Sequence, residues 1–502
     1  MKTYNPVSLW GTIGIVALCI VSRLPQLMSP YLHADYNGDE CVLGLMAQHM
    51  LRGQEFPFYF WGQNYGFSWI EAGAVALAIK SVGATVFSLK IPMLLLWTTG
   101  CVFFYAALAQ WTNRIYGFLI TCLLIFSPAW MDWSMKARGG YITAFLLTTI
   151  VLFLIAHHWQ KPKNNTFLFI GILLGFIFFS QPIYLLGLLP LLVYFLFKQK
   201  SIQAIFICIV GFIAIYVLGK VMAHLQSNTD FWQPVWFRPN DLGLFISTFK
   251  DRVFTALNQD SGHYLASMIV SRSWCIIFMF CIGVQLFRSI SKKAGVLSTL
   301  LFIGLVLTLG FTFFLDETVR YLLSLSVFLI LWFGVQSFEW FDKNAFTKFS
   351  QGIVIGILII LGILTAWNYR DFYRLNPASS NEIPEIQKIS KVIKFLDTSN
   401  VKYVFSIDED LSWKLMYFSR EHIISGGNLK SRQPMYSKAV AQAFLNGQKV
   451  AIVGDILHQT FAYLIVANEA KPEYLDDLYF VYLNPSKSLI TDKLGFQLSE
   501  LP

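Results

Sequence analysis

Charge is scarce in this chain: 13% of its 502 residues are Asp, Glu, Lys or Arg, about half the share of a soluble globular protein. So little charge cannot cover a chain that is 56% hydrophobic and 17% aromatic, and an ordinary soluble enzyme is excluded. A disulfide framework is missing too. Cys19, Cys101, Cys122, Cys208, Cys275 and Cys281 lie inside apolar runs, where cysteine acts as a small hydrophobe, and only Cys41 sits in a polar segment. There is no Cys/His zinc spacing, no GxGxxG fingerprint, no internal repeat and no low-complexity segment. A basic stripe is also absent. The net charge is +9, yet Lys and Arg are spread in twos and threes between apolar runs, which argues against a nucleic-acid partner and fits the loops of a membrane protein.

What is there is apolar length. A membrane span takes roughly 17 to 25 apolar residues, and on that test about 11 spans are expected. They lie near 9 to 27, 88 to 109, 116 to 131, 141 to 157, 166 to 180, 183 to 197, 201 to 219, 273 to 288, 295 to 314, 320 to 338 and 351 to 369. The first run follows only Lys2 and has no small-residue cleavage site before Arg23 and Pro25, so it reads as an uncleaved span. Ser68 to Val82 decides the topology. Glu71 and Lys80 leave roughly eight uninterrupted apolar residues, too few to cross, so this segment is read as a helix lying along or dipping into the membrane. With the N-terminus inside, the loops carrying Arg114, Lys161/Lys163, Lys198/Lys200, Arg288/Lys292/Lys293 and Lys343/Lys348 all become cytoplasmic, as the positive-inside rule requires.

The fold class expected is therefore an α-helical polytopic membrane protein, N-terminus inside and C-terminus outside. Residues 1–370 would form the transmembrane domain, with external loops 28–87 and 220–272, and 371–502 a small external α/β domain. In that tail an amphipathic pattern (Ile386, Ile389, Ile393, Leu396) alternates with β-rich runs at Val401 to Ile407, Lys449 to Val453 and Leu478 to Leu483. Ser425-Gly426-Gly427-Asn428 reads as a turn.

The chemistry-bearing residues concentrate in the first external loop. Asp35, Asp39 and Glu40 precede a helical pattern in which Val42, Leu45, Met46 and Met50 share one face. Asn37-Gly38 is a turn, which puts Asp39 at or near the helix N-terminus. Capping of that helix and its dipole is the plain reading. A carboxylate placed to take a proton from an acceptor hydroxyl or amine is the functional one. Lys136 and Arg138, beside Gly139-Gly140, and Arg320 beside Tyr321 fall on the external side, against the topology signal. Local ion pairs with Asp132, Asp316 or Glu317 would explain them. So would a bound phosphate, gripped by guanidinium with close backbone approach at the glycines. Gln63, Asn64, Tyr65 and Glu71 among Phe58, Tyr59, Phe60, Trp61 and Phe67 read either as an interfacial aromatic belt or as a sugar site.

Asp-Glu opening a surface helix, the exit Leu51-Arg52-Gly53 with Phe56, the Gly62-Gln63-Asn64-Tyr65-Gly66 stretch and Arg320-Tyr321-Leu322-Leu323 together resemble the GT-C membrane glycosyltransferases. The likeness is to the bacterial branch related to protein O-mannosyltransferases and aminoarabinose transferases, and it covers about residues 1–370. It implies inverting transfer of a sugar from a polyprenyl-phosphate donor to a lipid, glycan or protein acceptor, on the external (periplasmic) face of the cytoplasmic membrane. Asp39 would be the base and Glu40 an acceptor or packing partner. Asp35, Gln63, Asn64, Tyr65, Glu71, Lys136, Arg138, Arg320 and Tyr321 would bind substrate, with the lipid tail among the spans. Such enzymes often carry a further acid in the second external loop, where this chain reads Lys136-Ala137-Arg138-Gly139-Gly140. No cofactor or metal constellation is indicated, although the first-loop carboxylates could hold a divalent ion. The competing class is a transporter or flippase of a lipid-linked anion, whose signature would be ionisable residues or helix breaks in mid-span.

Overall fold

The computed structural model describes residues 8–28, 37–63, 65–160, 163–199, 201–226, 243, 279–290, 294–312, 319–342, 352, 355–360, 362–363, 385–426, 432–456, 472–496 and 498. The chain is mostly helical, with several apolar helices. Apolar segments of this kind fold as helices because a helix satisfies its own N–H and C=O groups where water cannot. The N-terminal part comprises α1 (Leu9–Met28), α2 (Gly38–Leu51), α3 (Trp69–Val82), α4 (Val86–Trp111), α5 (Arg114–Ile125), α6 (Pro128–Trp133) and α7 (Tyr141–His157). It continues with α8 (Asn164–Ser180), α9 (Ile183–Lys198), α10 (Ile202–Leu225), α11 (Met279–Ile290), α12 (Val296–Phe311) and α13 (Val319–Asp342). By length and composition, Val86–Trp111, Ile202–Leu225 and Arg320–Trp340 are long and apolar enough to cross a membrane, and α1, α5, α7, α8, α9, α11 and α12 contain shorter apolar stretches.

Two departures from the expected bounds have a clear physical cause. The segment expected as one span from 116 to 131 breaks at Phe126–Ser127, because Pro128 opens α6 and a residue before proline is pushed out of the helical region. The helix expected to end at 219 runs on to Leu225. Lys220 is accommodated there with its ammonium 5.5 Å from the Tyr216 ring.

The helices pack in neighbouring pairs, α4 against α5 and α7, α8 against α10, and α12 against α9 and α13. At the α8/α10 crossing, a Cβ on Gly211 would come within 2.6 Å of the Leu168 carbonyl, and one on Gly171 would strike the Cys208 carbonyl. Small residues there let the backbones touch.

The C-terminal unit is built from α14 (Glu385–Thr398), β1 (Tyr403–Ser406), α15 (Glu409–Phe418), β2 (Ile424–Gly426), α16 (Pro434–Leu445), β3 (Val450–Asp455), β4 (Tyr474–Leu475) and β5 (Tyr479–Leu483). Its sheet has the order β2-β1-β3-β5-β4, parallel from β2 to β3 and antiparallel at β5 and β4. Ser425 and Gly426, expected in a turn, lie in β2, while Gly427 and Asn428 fall outside the described residues.

This unit docks on α2 through α15. Gln48 Nε2 donates to the Tyr417 carbonyl at 3.1 Å, the Tyr417 hydroxyl donates to the Thr85 carbonyl at 3.0 Å, and Asp410 accepts from the Gly38 N–H. The Tyr417 ring lies directly against Gly44, where a side chain would collide with it. Gly44→Val should therefore overpack this contact and destabilise the protein by about 1–3 kcal/mol. A thermal unfolding curve that matches the unsubstituted protein would refute that packing.

Candidate functional site

The site is organised by a short segment, Ser134 to Gly140, held between buried charges. Arg23, 0% exposed, lies with its guanidinium 4.2 Å from the Trp97 ring and donates to Ser134 Oγ at 3.1 Å and to the Trp130 carbonyl at 3.3 Å. Glu40 is also fully buried. It accepts from Lys90 Nζ at 2.8 and 2.9 Å and from the Ala137 N–H at 3.1 Å. Glu71 closes the far end, accepting from the Gly140 N–H at 3.1 Å, the Thr143 N–H at 3.0 Å and the Thr143 hydroxyl at 3.1 Å. Burial pushes the Glu71 carboxyl up, against the lowering effect of these hydrogen bonds. Gly140 starts α7 at φ 90° and brings no side chain to cap it, so Glu71 supplies both the acceptor and the negative charge that a helix N-terminus favours.

Glu40 was expected as an acceptor or packing partner and Glu71 as a substrate contact. The structure places both as brackets of this segment, because their oxygens are committed to Lys90, Ala137, Gly140 and Thr143. Lys136 is buried, with its ammonium 5.6 Å from the Trp133 ring.

What the segment presents is Arg138, whose guanidinium lies 5.2 Å from the same ring. Its Nε is buried without a hydrogen-bond partner among the described residues, and so is the Nε of Arg320, which lies 4.8 Å from the Tyr321 ring. Tyr141 is within Coulombic reach of Arg138, Arg320, Tyr321 and Tyr65. Tyr65 in turn is within reach of Tyr321, Arg320, Arg432 and Asp39. Burial pushes the Tyr65 hydroxyl up to about 12, with Tyr321 and Asp39 acting in the same direction and the two arginines opposing, so it remains a neutral donor.

Asp39 occupies the first turn of α2, after the N-cap Asn37, whose side chain accepts from the Glu40 N–H at 3.2 Å. It is part-exposed, and its Oδ1 accepts from Arg432 at 2.7 Å. The structure thus brings Asp39, Tyr65, Arg138, Arg320 and Tyr321 together. Gln63 adjoins them, its N–H bonded to the Phe60 carbonyl at 3.0 Å. Asp35, Asn64, Asp316, Glu317, the Asp132 side chain and nearly all of the expected loop 220–272 lie outside the described residues. Among the described residues, no group of three or more His, Cys, Asp and Glu comes together as a metal site.

Sequence reasoning missed Arg432, Tyr141, Arg23 and Lys90. Lys90 had a signal, a lone cation within an apolar run that needs a buried partner. Arg432 had none, since it comes nearly 400 positions after Asp39.

Beside the site, a buried polar cluster fastens the C-terminal unit to α2. His49 Nε2 lies 2.9 Å from Glu421 and its Nδ1 3.8 Å from Glu55. Glu421 also accepts from Arg52 and from the Tyr436 hydroxyl, and Trp61 Nε1 donates to Glu55 at 3.2 Å. Burial disfavours charged His49, but the hydrogen bonds and charges of Glu421 and Glu55 outweigh it and hold the imidazole up at about 9. Burial likewise works against charged Glu421, yet His49, Tyr436 and Arg52 hold it down at about 2.

A raised histidine contributes stability fully below its ordinary value near 6.5 and loses it as pH climbs through about 9. A depressed glutamate contributes above its ordinary 4.5 and loses it as pH falls through about 2. The cluster is therefore strongest between the two ordinary values, and melting temperature should fall as pH rises from 6.5 toward 9. His49→Gln should flatten that slope in a series of thermal melts, and an equal slope in both proteins would remove His49 from the cause.

No protein-family model matches the chain, and no curated protein matches its sequence. Solved structures do match its fold. The crystal structure of ArnT from Cupriavidus metallidurans bound to undecaprenyl phosphate is 12% identical at a TM-score of 0.64, covering 96% of this chain and 99% of that one. The archaeal oligosaccharyltransferase AglB from Archaeoglobus fulgidus, in complex with an inhibitory peptide and a dolichol-phosphate, is 10% identical at a TM-score of 0.54, covering 91% of this chain and 71% of that one. Both are GT-C glycosyltransferases, and the architecture resembled from the sequence is the one these structures share: the chain has the GT-C membrane glycosyltransferase fold.

Proposed function

We propose that this chain is a membrane glycosyltransferase that moves a sugar from a polyprenyl-phosphate donor to an acceptor, with inversion at the anomeric carbon. The observation that carries the reading is the pair Arg138 and Arg320. Each has a buried Nε without a partner among the described residues; Arg320 is within Coulombic reach of Asp39, and Tyr141 is within reach of both arginines. A buried guanidinium N–H without a partner is costly unless an acceptor such as a bound anion completes it. Lipid phosphate is the bound ligand named for both structural neighbours, undecaprenyl phosphate in one and dolichol-phosphate in the other.

The step balances without a separate acid. Asp39 takes the proton of the acceptor nucleophile, which forms its bond to the anomeric carbon on the face opposite the phosphate. The bond from anomeric carbon to phosphate oxygen breaks, and its electron pair leaves with the lipid phosphate into the field of Arg138 and Arg320. Tyr65 and Tyr321 line the same neighbourhood with hydroxyls and ring faces suited to a sugar. Glu40, Lys90 and Glu71 hold the Arg138 segment. Asp35 and Asn64 belong to the same reading as sugar contacts.

The site belongs on the external face. The α4 start packs beside the C-terminal unit at Thr85 and Ser88, and its 26 residues span about 39 Å. Arg114, just beyond its far end, therefore lies across the membrane from Asp39. Lys163 and Lys198, at the ends of α8 and α9, share that opposite side, as cytoplasmic cations should.

Asp39→Asn should abolish most transfer, by about 10²- to 10⁴-fold in turnover, with normal expression and insertion. Arg138→Ala and Arg320→Ala should each raise the KM for the donor by about 10- to 100-fold, more than that for the acceptor. Single-turnover assays with radiolabelled polyprenyl-phosphate sugars in membranes decide both points. Transfer preserved in Asp39→Asn would end the base assignment, and unchanged donor dependence in the arginine variants would end the phosphate reading.

A further inference from the structure

Arg432 is contributed by the C-terminal unit, two residues before α16, and it reaches the one carboxylate to which the proposed reaction assigns the proton. We propose that Arg432 is the positioning residue of Asp39, so that the C-terminal unit completes the active centre instead of only covering it. This rests on the reading of Asp39 as the base.

Asp39 has its backbone fixed in the first turn of α2 by the Asn37 cap. Its side chain is part-exposed, with 23% of its surface open, and a short carboxylate at such a place would otherwise sample several rotamers. The 2.7 Å bond from Arg432 to Oδ1 removes that freedom. The guanidinium is itself held. It lies 5.1 Å from the Phe60 ring, and the Arg432 Cα, Cβ and Cγ pack so closely on Gly62 that a Cβ there would meet them at 2.8–3.1 Å. One turn further on, Tyr436 is tied to Glu421 and His49, which fastens the start of α16 to α2.

The electrostatic arrangement explains why a second cation is needed. In the structure Asp39 feels Arg320 as well as Arg432. Once a donor phosphate takes Arg320, Arg432 still balances the Asp39 charge and keeps its carboxylate aimed. Guanidinium suits this task, since it stays charged at any working pH and stacks on an aromatic face while it donates.

The test is donor-saturated transfer by the full-length protein in membranes, carrying Arg432→Gln or Arg432→Lys, with thermal melts of each. Arg432→Gln should lower kcat by about 10- to 100-fold, leave the donor KM within about twofold, and leave the melting temperature unchanged. Arg432→Lys, which restores the charge, should recover most of that loss. Wild-type turnover in Arg432→Gln, an Arg432→Lys as slow as Arg432→Gln, or a loss that follows the melting temperature or the donor KM would each overturn the proposal. Failure of the base assignment looks different: there Asp39→Asn itself turns over normally, whereas here Asp39→Asn is inactive and Arg432→Gln is not.

Discussion

The arrangement depends on one constraint: Ser134 to Gly140 must hold a single conformation between α6 and α7 while carrying cations into a poorly hydrated place. Local chain propensity cannot do this, since the segment has two adjacent glycines at positive φ and little intrinsic preference. Buried charge does it instead. Arg23 fixes the entry at Trp130 and Ser134, Glu40 with Lys90 fixes the middle at Ala137, and Glu71 fixes the exit at Gly140 and Thr143. A buried ion pair contributes little net stability over a well-packed apolar pair, but losing one partner is expensive, about 3–5 kcal/mol. Such a pair therefore specifies geometry more than it stabilises. That is what a segment presenting Arg138 requires.

The same logic explains why adjacent acids have opposite roles. Asp39 and Glu40 are neighbours on the first turn of α2, and successive side chains on a helix point about 100° apart. One therefore turns inward to Lys90 and the other outward to the tail. The longer Glu40 side chain reaches the Ala137 backbone, while the shorter Asp39 stays part-exposed beside Arg432. Interchanging the two residue types would place the longer, looser side chain where aim matters and the shorter one where reach matters.

Much of the helical layout was legible in the sequence, because apolar length is a direct statement about hydration. The run from 141 to 157, bounded by Gly139-Gly140 and His157-His158, folds as α7 over the same residues. The N-terminus of α2 was legible through the Asn37 cap and the Asp-Glu first turn. The break before Pro128 was lost because hydropathy averaged over it, and the extension to Leu225 because a charge at Lys220 reads as an end where an aromatic neighbour in fact receives it. Glu40 and Glu71 were drawn toward the chemistry because a sequence shows a carboxylate's place in the chain but not its partners. Lys90 and the Gly140 backbone become partners only through the packing of α2, α3, α4 and α7.

Arg432 marks the limit of such reading, and it also says something about how the protein works. A residue so distant in the chain can hold Asp39 only if the C-terminal unit is docked, and docking runs through Tyr417 against Gly44 and through the His49, Glu421 and Tyr436 cluster. The proposed active centre would therefore draw on two packed layers that share one apolar core, with Arg138 and Arg320 from the helices and Arg432 from the sheet-bearing unit. The chain shares its fold with ArnT and AglB at 10–12% identity, and a fold kept at so low an identity leaves the residues of its site free to differ.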